Sequence, residues 1–317
     1  MKGATVSMPQ DTENTHHAPK DSQGRTWMMR LVPSRFEAFA QLARLDRPIG
    51  TWLLFWPCFW GLALAAGQID RYPPLFMVGL FALGALVMRS AGCTFNDLAD
   101  RNIDEKVART ALRPLPSGRV SVRQAWGFLI GLCLIGFFIL VQFNGLTIAL
   151  GFASLSLVAI YPFMKRITYW PQFFLGLTFN WGALMGYAAL AGKIDAAALA
   201  LYAAGVFWTL GYDTIYAHQD REEDALIGVK STALKLGRFS RPAIAVFYAL
   251  ALACLALAGL WADVQVLFWP GLAVAAYHLG LQILKLDIDR ADICLSLFRA
   301  NRDTGLIIAG ALLLGTF

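Results

Sequence analysis

Two short acidic segments carry the residues best suited to chemistry. The first places Asn96, Asp100 and Asp104 at four-residue spacing, and the second places Asp220 and Asp224 at the same spacing. Residues four apart share one face of a helix, so each segment predicts a stripe of side-chain oxygen atoms. Like charges at this spacing destabilise a helix, which favours either a bound cation or a solvated helix end.

Each acidic segment is followed by a basic residue and a small hydroxyl side chain. Arg109-Thr110 comes after the first segment, and Lys230-Ser231-Thr232 comes after the second. Segments that repeat the same order of features indicate copies of one functional unit. We therefore expect the two to meet as halves of one site.

The chemistry that fits these residue types is metal-assisted binding of a diphosphate. Mg²⁺ prefers about six oxygen ligands and is commonly held by one or two carboxylates together with substrate phosphate. Two acidic clusters predict a pair of Mg²⁺ ions, and the interleaved Arg and Lys residues would contact phosphate oxygens that the metals leave free.

The rest of the chain is too apolar for an ordinary water-soluble domain. Of its 317 residues, 57% are apolar and 15% are charged, and the mean hydropathy is +0.54. A transmembrane helix needs about 20 mostly apolar residues. We predict an all-α polytopic membrane protein with nine transmembrane helices, over residues 51–67, 74–95, 122–143, 145–163, 172–191, 196–216, 242–261, 264–285 and 304–317.

The basic residues indicate the orientation of these spans. Of the 27 Lys and Arg residues, 24 lie before the first span, in the loops after even-numbered spans, or at the span ends that border those loops. Basic loops face the cytoplasm, so we expect a cytoplasmic N-terminus and both acidic segments on that same side. In a membrane protein this charge reports orientation, and we expect no nucleic-acid partner. No protein partner is indicated.

The chain divides into a polar tail and one membrane domain. Residues 1–43 mix acidic and basic side chains without an early apolar run, unlike signal or transit peptides. We expect a disordered cytosolic tail over 1–43 and the nine-helix domain over 44–317. The five cysteines show no CxxC spacing, and nothing in the sequence suggests disulfides, zinc or haem.

A diphosphate site below a bundle of apolar helices predicts a substrate with a hydrocarbon tail, which favours an allylic polyprenyl diphosphate. Metal ions act as Lewis acids on such a leaving group, and a water-poor pocket protects the resulting carbocation.

Five stretches of the sequence resemble the UbiA-type intramembrane prenyltransferases. They are RLDRPIGTWLLFWP (44–57), NDLADRNIDEKVARTALRPLPSG (96–118), YPFMKRITYWPQ (161–172), GYDTIYAHQDREEDALIGVKSTA (211–233) and CLSLFRANR (294–302). The resemblance implies a helical bundle around a central cavity. It implies metal ligands at Asn96, Asp97, Asp100, Asp104, Asp220 and Asp224, of which Asp100, Asp104, Asp220 and Asp224 are the expected catalytic residues. It also implies phosphate contacts at Arg109, Lys165, Arg166 and Lys230.

Within the family, the RLDRPIGT, YPFMKR and GYDTIYA stretches resemble the branch that prenylates 4-hydroxybenzoate, an early step of ubiquinone biosynthesis. The carboxylate of this acceptor needs a fixed cation, for which Arg44, Arg47 and Arg89 are the candidates. Arg89 lies inside an apolar span, where it either holds the acceptor or neutralises an acid such as Asp213.

Other functions remain open from the sequence. The same prenyl transfer to homogentisate, dihydroxynaphthoate or haem is one alternative, and a cation transporter is another. Transporter sites usually lie near the bilayer midplane, whereas these acids follow the ends of spans. We expect the protein in a bacterial inner membrane, with the mitochondrial inner membrane as the alternative.

Overall fold

The computed structural model describes residues 27–105 and 110–316, and within these ranges the chain forms helices and turns without strands. The helices are α1 Trp27–Leu31, α2 Glu37–Leu42, α3 Ile49–Gly67, α4 Leu75–Asp104, α5 Val122–Leu140, α6 Gly145–Ile167, α7 Pro171–Ala191, α8 Ala196–Ala217, α9 Arg221–Ile227, α10 Thr232–Leu236, α11 Ser240–Trp261, α12 Phe268–Lys285 and α13 Ala291–Leu314. The all-α expectation is therefore confirmed for the described part of the chain.

The protein is an integral membrane protein. Six segments of the described chain are long and apolar enough to cross a bilayer: Ile49–Gly67, Leu75–Arg101, Val122–Leu140, Gly145–Ile167, Pro171–Ala191 and Thr232–Trp261. The helices α8, α12 and α13 also have 18 or more residues, but they do not meet the same criterion.

The last helix differs from its predicted span. We expected a span over 304–317, whereas α13 begins at Ala291 and has 24 residues. Its N-terminal half is amphipathic, since Cys294 and Leu297 are buried while Arg302 is exposed. The exposed charged face lowers the mean hydropathy, so an apolar window finds only the C-terminal half.

The chain divides into two compact units. Unit 1 contains, of the described residues, 27–47, 93–105 and 110–128. Its helix α2 buries Ala40 and Leu42, and Phe39 contacts Phe128 at the start of α5, with ring centroids 5.3 Å apart. Residues 27–42 thus form helices where we expected part of a disordered tail, because their apolar side chains find packing partners within the unit. The remainder of that predicted tail, residues 1–26, lies outside the described residues.

Unit 2 contains residues 48–92 and 129–316 of the described chain. Its helices α3 and α7 pack backbone to backbone at two glycines. A Cβ at Gly61 would overlap the Ala183 carbonyl oxygen, and one at Gly186 would overlap the Cys58 carbonyl oxygen. Small residues allow this close approach in membrane helices, where apolar burial alone does not drive association.

Buried polar side chains connect four further helices of unit 2. Trp208 on α8 donates to Asn301 on α13 at 2.7 Å, and Asn301 donates to Gln282 on α12 at 3.0 Å. The Tyr248 hydroxyl on α11 donates to the same Gln282 amide oxygen at 3.0 Å. These bonds fix α8, which leads directly into the second acidic segment.

Candidate active site

The first acidic motif (Asn96, Asp97, Asp100 and Asp104) lies on the last turns of α4. The helix continues unbroken to Asp104, so the four-residue spacing places Asn96, Asp100 and Asp104 along one face, as predicted from the sequence. Asp97, Asp100 and Asp104 are only 0%, 1% and 6% exposed. A solvated helix end would leave these carboxylates in water. Their burial requires a compensating positive charge.

Two arginines of unit 1 supply part of that charge. Arg44 donates to Asp97 at 2.6 Å, and Arg113 donates to Asp104 at 2.9 Å and lies 3.5 Å from Asp97. Burial alone would lower the pKa of the Arg44 guanidinium, but the neighbouring Asp97 carboxylate raises it above the ordinary value. Arg44 therefore remains charged at any pH relevant to the protein.

Asp97 keeps a carboxylate oxygen without a protein partner in the part of the chain that the structure describes. Asp97 Oδ2 is buried and accepts no hydrogen bond from residues 27–105 or 110–316, whereas Oδ1 of the same carboxylate contacts Arg44 and Arg113. Among the residues that the structure describes, no three His, Cys, Asp or Glu side chains group closely enough to bind one metal ion together. Mg²⁺ needs only one or two protein carboxylates when phosphate and water complete its shell. The donor set of α4 therefore fits Mg²⁺.

The second acidic motif (Asp220 and Asp224) follows α8 in unit 2. We expected one helix to continue through it, but α8 ends at Ala217, a single 3₁₀ turn covers His218–Asp220, and α9 begins at Arg221. Both carboxylates are half-buried. Asp220 therefore lies just before α9 and Asp224 within it, rather than on a common α-helix.

His218, two residues before Asp220, carries no positive charge at neutral pH. Its ring is 6% exposed and neither nitrogen has a hydrogen-bond partner within the described structure. Burial and the nearby Arg221 lower the pKa of His218 to about 4, although Asp289 opposes this shift. The imidazole is consequently neutral and does not compete with a cation for the second motif.

The loop after α9 is fixed against the end of α6 and the start of α7. The Lys230 amide donates to the Lys165 carbonyl at 2.8 Å, and the Thr232 amide donates to Gln172 Oε1 at 3.1 Å. The Thr232 hydroxyl also contacts the Thr214 hydroxyl at 2.7 Å. The structure thus brings together the Lys165 and Lys230 segments, which are 65 positions apart in the chain.

The ammonium group of Lys230 lies at the C-terminal end of α6. Its Nζ donates to the Ile167 carbonyl at 3.0 Å and lies 5.6 Å from the centre of the Tyr169 ring. A cation at this end of a helix binds its unpaired carbonyls. Arg166 is exposed on the same helix end, while Arg109 lies outside the described residues.

The three arginines expected at the acceptor have different surroundings. Arg44 is paired with Asp97, and Arg47 pairs with its neighbour Asp46 at 2.8 Å. Arg89 lies over the Phe179 ring at 5.3 Å, and its Nε is buried without a hydrogen-bond partner in the described chain. Asp213 on α8 is close enough to interact electrostatically with Arg89.

The comparison with protein families identifies the family of the chain. The model of the UbiA prenyltransferase family matches residues 54–303. The chain belongs to this family. The match includes both acidic motifs and the Lys165 segment, and it confirms the resemblance seen in the sequence.

The chain is also similar to a curated relative and to solved structures. It is 50% identical to the mitochondrial 4-hydroxybenzoate polyprenyltransferase of Drosophila melanogaster, over 92% of this chain and 74% of the relative. Its fold is similar to the apo structure of a UbiA homologue from Aeropyrum pernix K1, with a TM-score of 0.70 and 26% identity over 84% of this chain and 98% of the other. A UbiA homologue from Archaeoglobus fulgidus, solved with GPP and Mg²⁺ bound, shares the fold with a TM-score of 0.63 and 17% identity over 87% of this chain and 99% of the other.

Two residues of the site were not found from the sequence. Arg113 bridges Asp97 and Asp104, and Gln172 anchors the loop through Thr232. Arg113 lies within a stretch already recognised as typical of the UbiA family, so its nearness to Asp104 was an available signal. Nothing in the sequence pairs Gln172 with a residue 60 positions away.

Proposed function

We propose that this chain transfers a polyprenyl group from polyprenyl diphosphate to the ring carbon ortho to the hydroxyl of 4-hydroxybenzoate, an early step of ubiquinone biosynthesis. The observation that carries the chemistry is the buried acidic face of α4, on which Asp97 Oδ2 has no protein partner among the described residues. The acceptor is supported by the 50% identity to a relative named for this reaction.

The acidic motifs supply the ligands for Mg²⁺ in this proposal. Asp97, Asp100 and Asp104 with Asn96 form one ligand set, and Asp220 with Asp224 forms the other. When bound, the metal acts as a Lewis acid on the diphosphate leaving group. The homologue solved with GPP and Mg²⁺ bound supports this choice of ion.

The basic residues hold the diphosphate in the proposed reaction. Lys165 and Lys230 lie on segments joined by a backbone hydrogen bond, and Arg109 and Arg166 complete the set expected from the family resemblance. A charged hydrogen bond to phosphate is about twice as strong as a neutral one. Charged hydrogen bonds from these side chains therefore orient the diphosphate leaving group.

Arg89 is the arginine best placed to bind the carboxylate of 4-hydroxybenzoate. Arg44 and Arg47 already contact carboxylates at 2.6 and 2.8 Å, whereas Arg89 Nε is a buried donor that has no acceptor among the described residues. A buried donor left unpaired costs about 1–3 kcal/mol. An acceptor carboxylate that takes this hydrogen bond recovers that cost upon binding.

We also propose nine transmembrane helices with the N-terminus and both acidic motifs on the same side of the membrane. The division of basic residues supports this orientation. The Drosophila relative is named as mitochondrial, so a mitochondrial membrane is favoured, and the bacterial inner membrane expected from the sequence is not supported.

The direct test is product formation. Membranes that contain the protein are incubated with ring-labelled 4-hydroxybenzoate, a polyprenyl diphosphate and Mg²⁺, and the label is extracted into organic solvent. We expect a lipophilic product whose added mass equals one polyprenyl group. Homogentisate and dihydroxynaphthoate are supplied in parallel, and exclusive use of either would replace the proposed acceptor. Absence of product with every acceptor would contradict the prenyl-transfer reaction.

A further inference from the structure

Gly50, in the first turn of α3, leaves space that the Arg89 side chain occupies. A Cβ built at Gly50 would lie 2.8 Å from Arg89 Nη2 and 2.9 Å from Cζ, and closer still to Nε. Real Cβ atoms do not approach other atoms at such distances. Only glycine at position 50 therefore allows the guanidinium to lie where the structure places it.

The guanidinium is also bounded by groups on two other helices. On α7, the Phe179 ring centroid lies 5.3 Å from Arg89 Cζ, within the range of a cation–π contact. On α8, Asp213 interacts with Arg89 electrostatically. Gly50 and Phe179 thus limit the side-chain positions open to Arg89, while Nε has no hydrogen-bond partner within the described structure.

We propose that Gly50 is a positioning residue for recognition of the acceptor carboxylate, acting through Arg89. This inference rests on the proposed function, in which Arg89 binds that carboxylate. Because guanidinium–carboxylate recognition depends on two parallel donors in a fixed geometry, a small displacement of the guanidinium loses much of the interaction. Acceptor binding therefore requires a residue without a side chain, glycine, at position 50.

A methyl group at position 50 is expected to move Arg89 rather than disrupt α3. The clashing atoms are the far end of a flexible side chain, which can shift at small cost. Alanine also has a higher helix propensity than glycine. Gly50→Ala should therefore remain folded while the guanidinium is displaced from the acceptor.

The test compares Gly50→Ala with the unaltered protein on 4-hydroxybenzoate and on its uncharged methyl ester. We expect the KM for the acid to rise by about tenfold, the size of one lost charged hydrogen bond. The KM for the ester, the KM for the prenyl diphosphate and the kcat should change by less than about twofold. A change of this size is smaller than the loss of even one weak hydrogen bond would cause. The matched control is Gly67→Ala at the other end of α3, where the nearest atom to a new Cβ lies 3.6 Å away. This control should leave all of these constants unchanged.

A double variant separates positioning from a general structural effect. In an Arg89→Ala background, Gly50→Ala should raise the KM for the acid no further, because no guanidinium remains to be displaced. A further outcome is that Gly50→Ala alone gives little folded protein. In that case, recovery of folded protein in the double variant would show that the new methyl group clashes with the Arg89 side chain. Failure of both variants to fold would overturn the inference.

Two kinetic outcomes would also overturn it. One is an unchanged preference for acid over ester in Gly50→Ala, and the other is an equal loss for both acceptors that persists in the Arg89→Ala background. In either case the unaltered protein still prenylates 4-hydroxybenzoate, so only the role of Gly50 fails. If the unaltered protein does not use 4-hydroxybenzoate at all, the proposed function itself fails.

Discussion

The Arg44 guanidinium is bound to Asp97 at 2.6 Å while the Arg44 backbone lies in the left-handed region, with φ of +59°. Arg44 is the second residue after α2, where its amide donates to the Gln41 carbonyl and the Leu45 amide donates to the Ala40 carbonyl. This is the Schellman pattern, whose left-handed position is usually glycine. The chain accepts backbone strain there because the Arg44 side chain compensates a buried carboxylate.

Two substitutions of Arg44 distinguish the effect of the backbone strain on stability from the effect of the ion pair. Arg44→Ala and Arg44→Gly both remove the nearer of the two arginine partners that Asp97 has in the described chain and leave Arg113 at 3.5 Å. This should cost up to about 3–5 kcal/mol and abolish most turnover. Arg44→Gly should be more stable than Arg44→Ala by about 1 kcal/mol, because glycine adopts positive φ without the Cβ clash. Thermal unfolding in detergent and a prenyl-transfer assay measure the two effects. Equal melting temperatures for the two variants would contradict the role of strain.

The metal requirement is tested in both acidic motifs. We predict that Asp100→Asn and Asp220→Asn each abolish turnover while the protein stays folded and inserted, because a neutral amide is a poorer Mg²⁺ ligand than a carboxylate. The matched control is Asp292→Asn, which changes an exposed carboxylate paired with Arg290 and should keep full activity. Turnover is measured against Mg²⁺ concentration. Full activity of either motif variant, or turnover in excess EDTA, would exclude the metal-dependent reaction.

The sequence predicted those parts of the site that depend on local spacing. The face formed by Asn96, Asp100 and Asp104 follows from a four-residue repeat on a helix, and α4 does continue to Asp104. The pairing of Arg44 with Asp97 joins residues 53 positions apart, and no local pattern encodes it. The break between α8 and α9 was also missed, because the four-residue spacing of Asp220 and Asp224 was interpreted on a helix that continues through both.

A labelling experiment tests whether α8 crosses the membrane, although it does not meet the apolar criterion that six other segments meet. Lys193 precedes α8 with a side chain 62% exposed, and Lys235 follows it. We predict that single cysteines at these positions, in a background without the five native cysteines, react with an impermeant thiol reagent from opposite sides. Lys235 should react from the side of the N-terminus. Labelling of both positions from one side would show that α8 does not span the membrane. If that side is opposite to the N-terminus, the proposal that both acidic motifs share one side also fails.

The hydrogen bond from the Thr232 amide to Gln172 Oε1 offers a test of the loop that carries Lys230. Gln172→Leu leaves a buried amide without an acceptor, which costs about 1–3 kcal/mol and should loosen the loop. We predict that this variant raises the KM for the prenyl diphosphate and leaves the KM for 4-hydroxybenzoate nearly unchanged, because Lys165 and Lys230 are expected at the diphosphate. Steady-state kinetics with each substrate varied in turn make the measurement. If Gln172→Leu affects both substrates equally, the bond supports the fold as a whole rather than the diphosphate site.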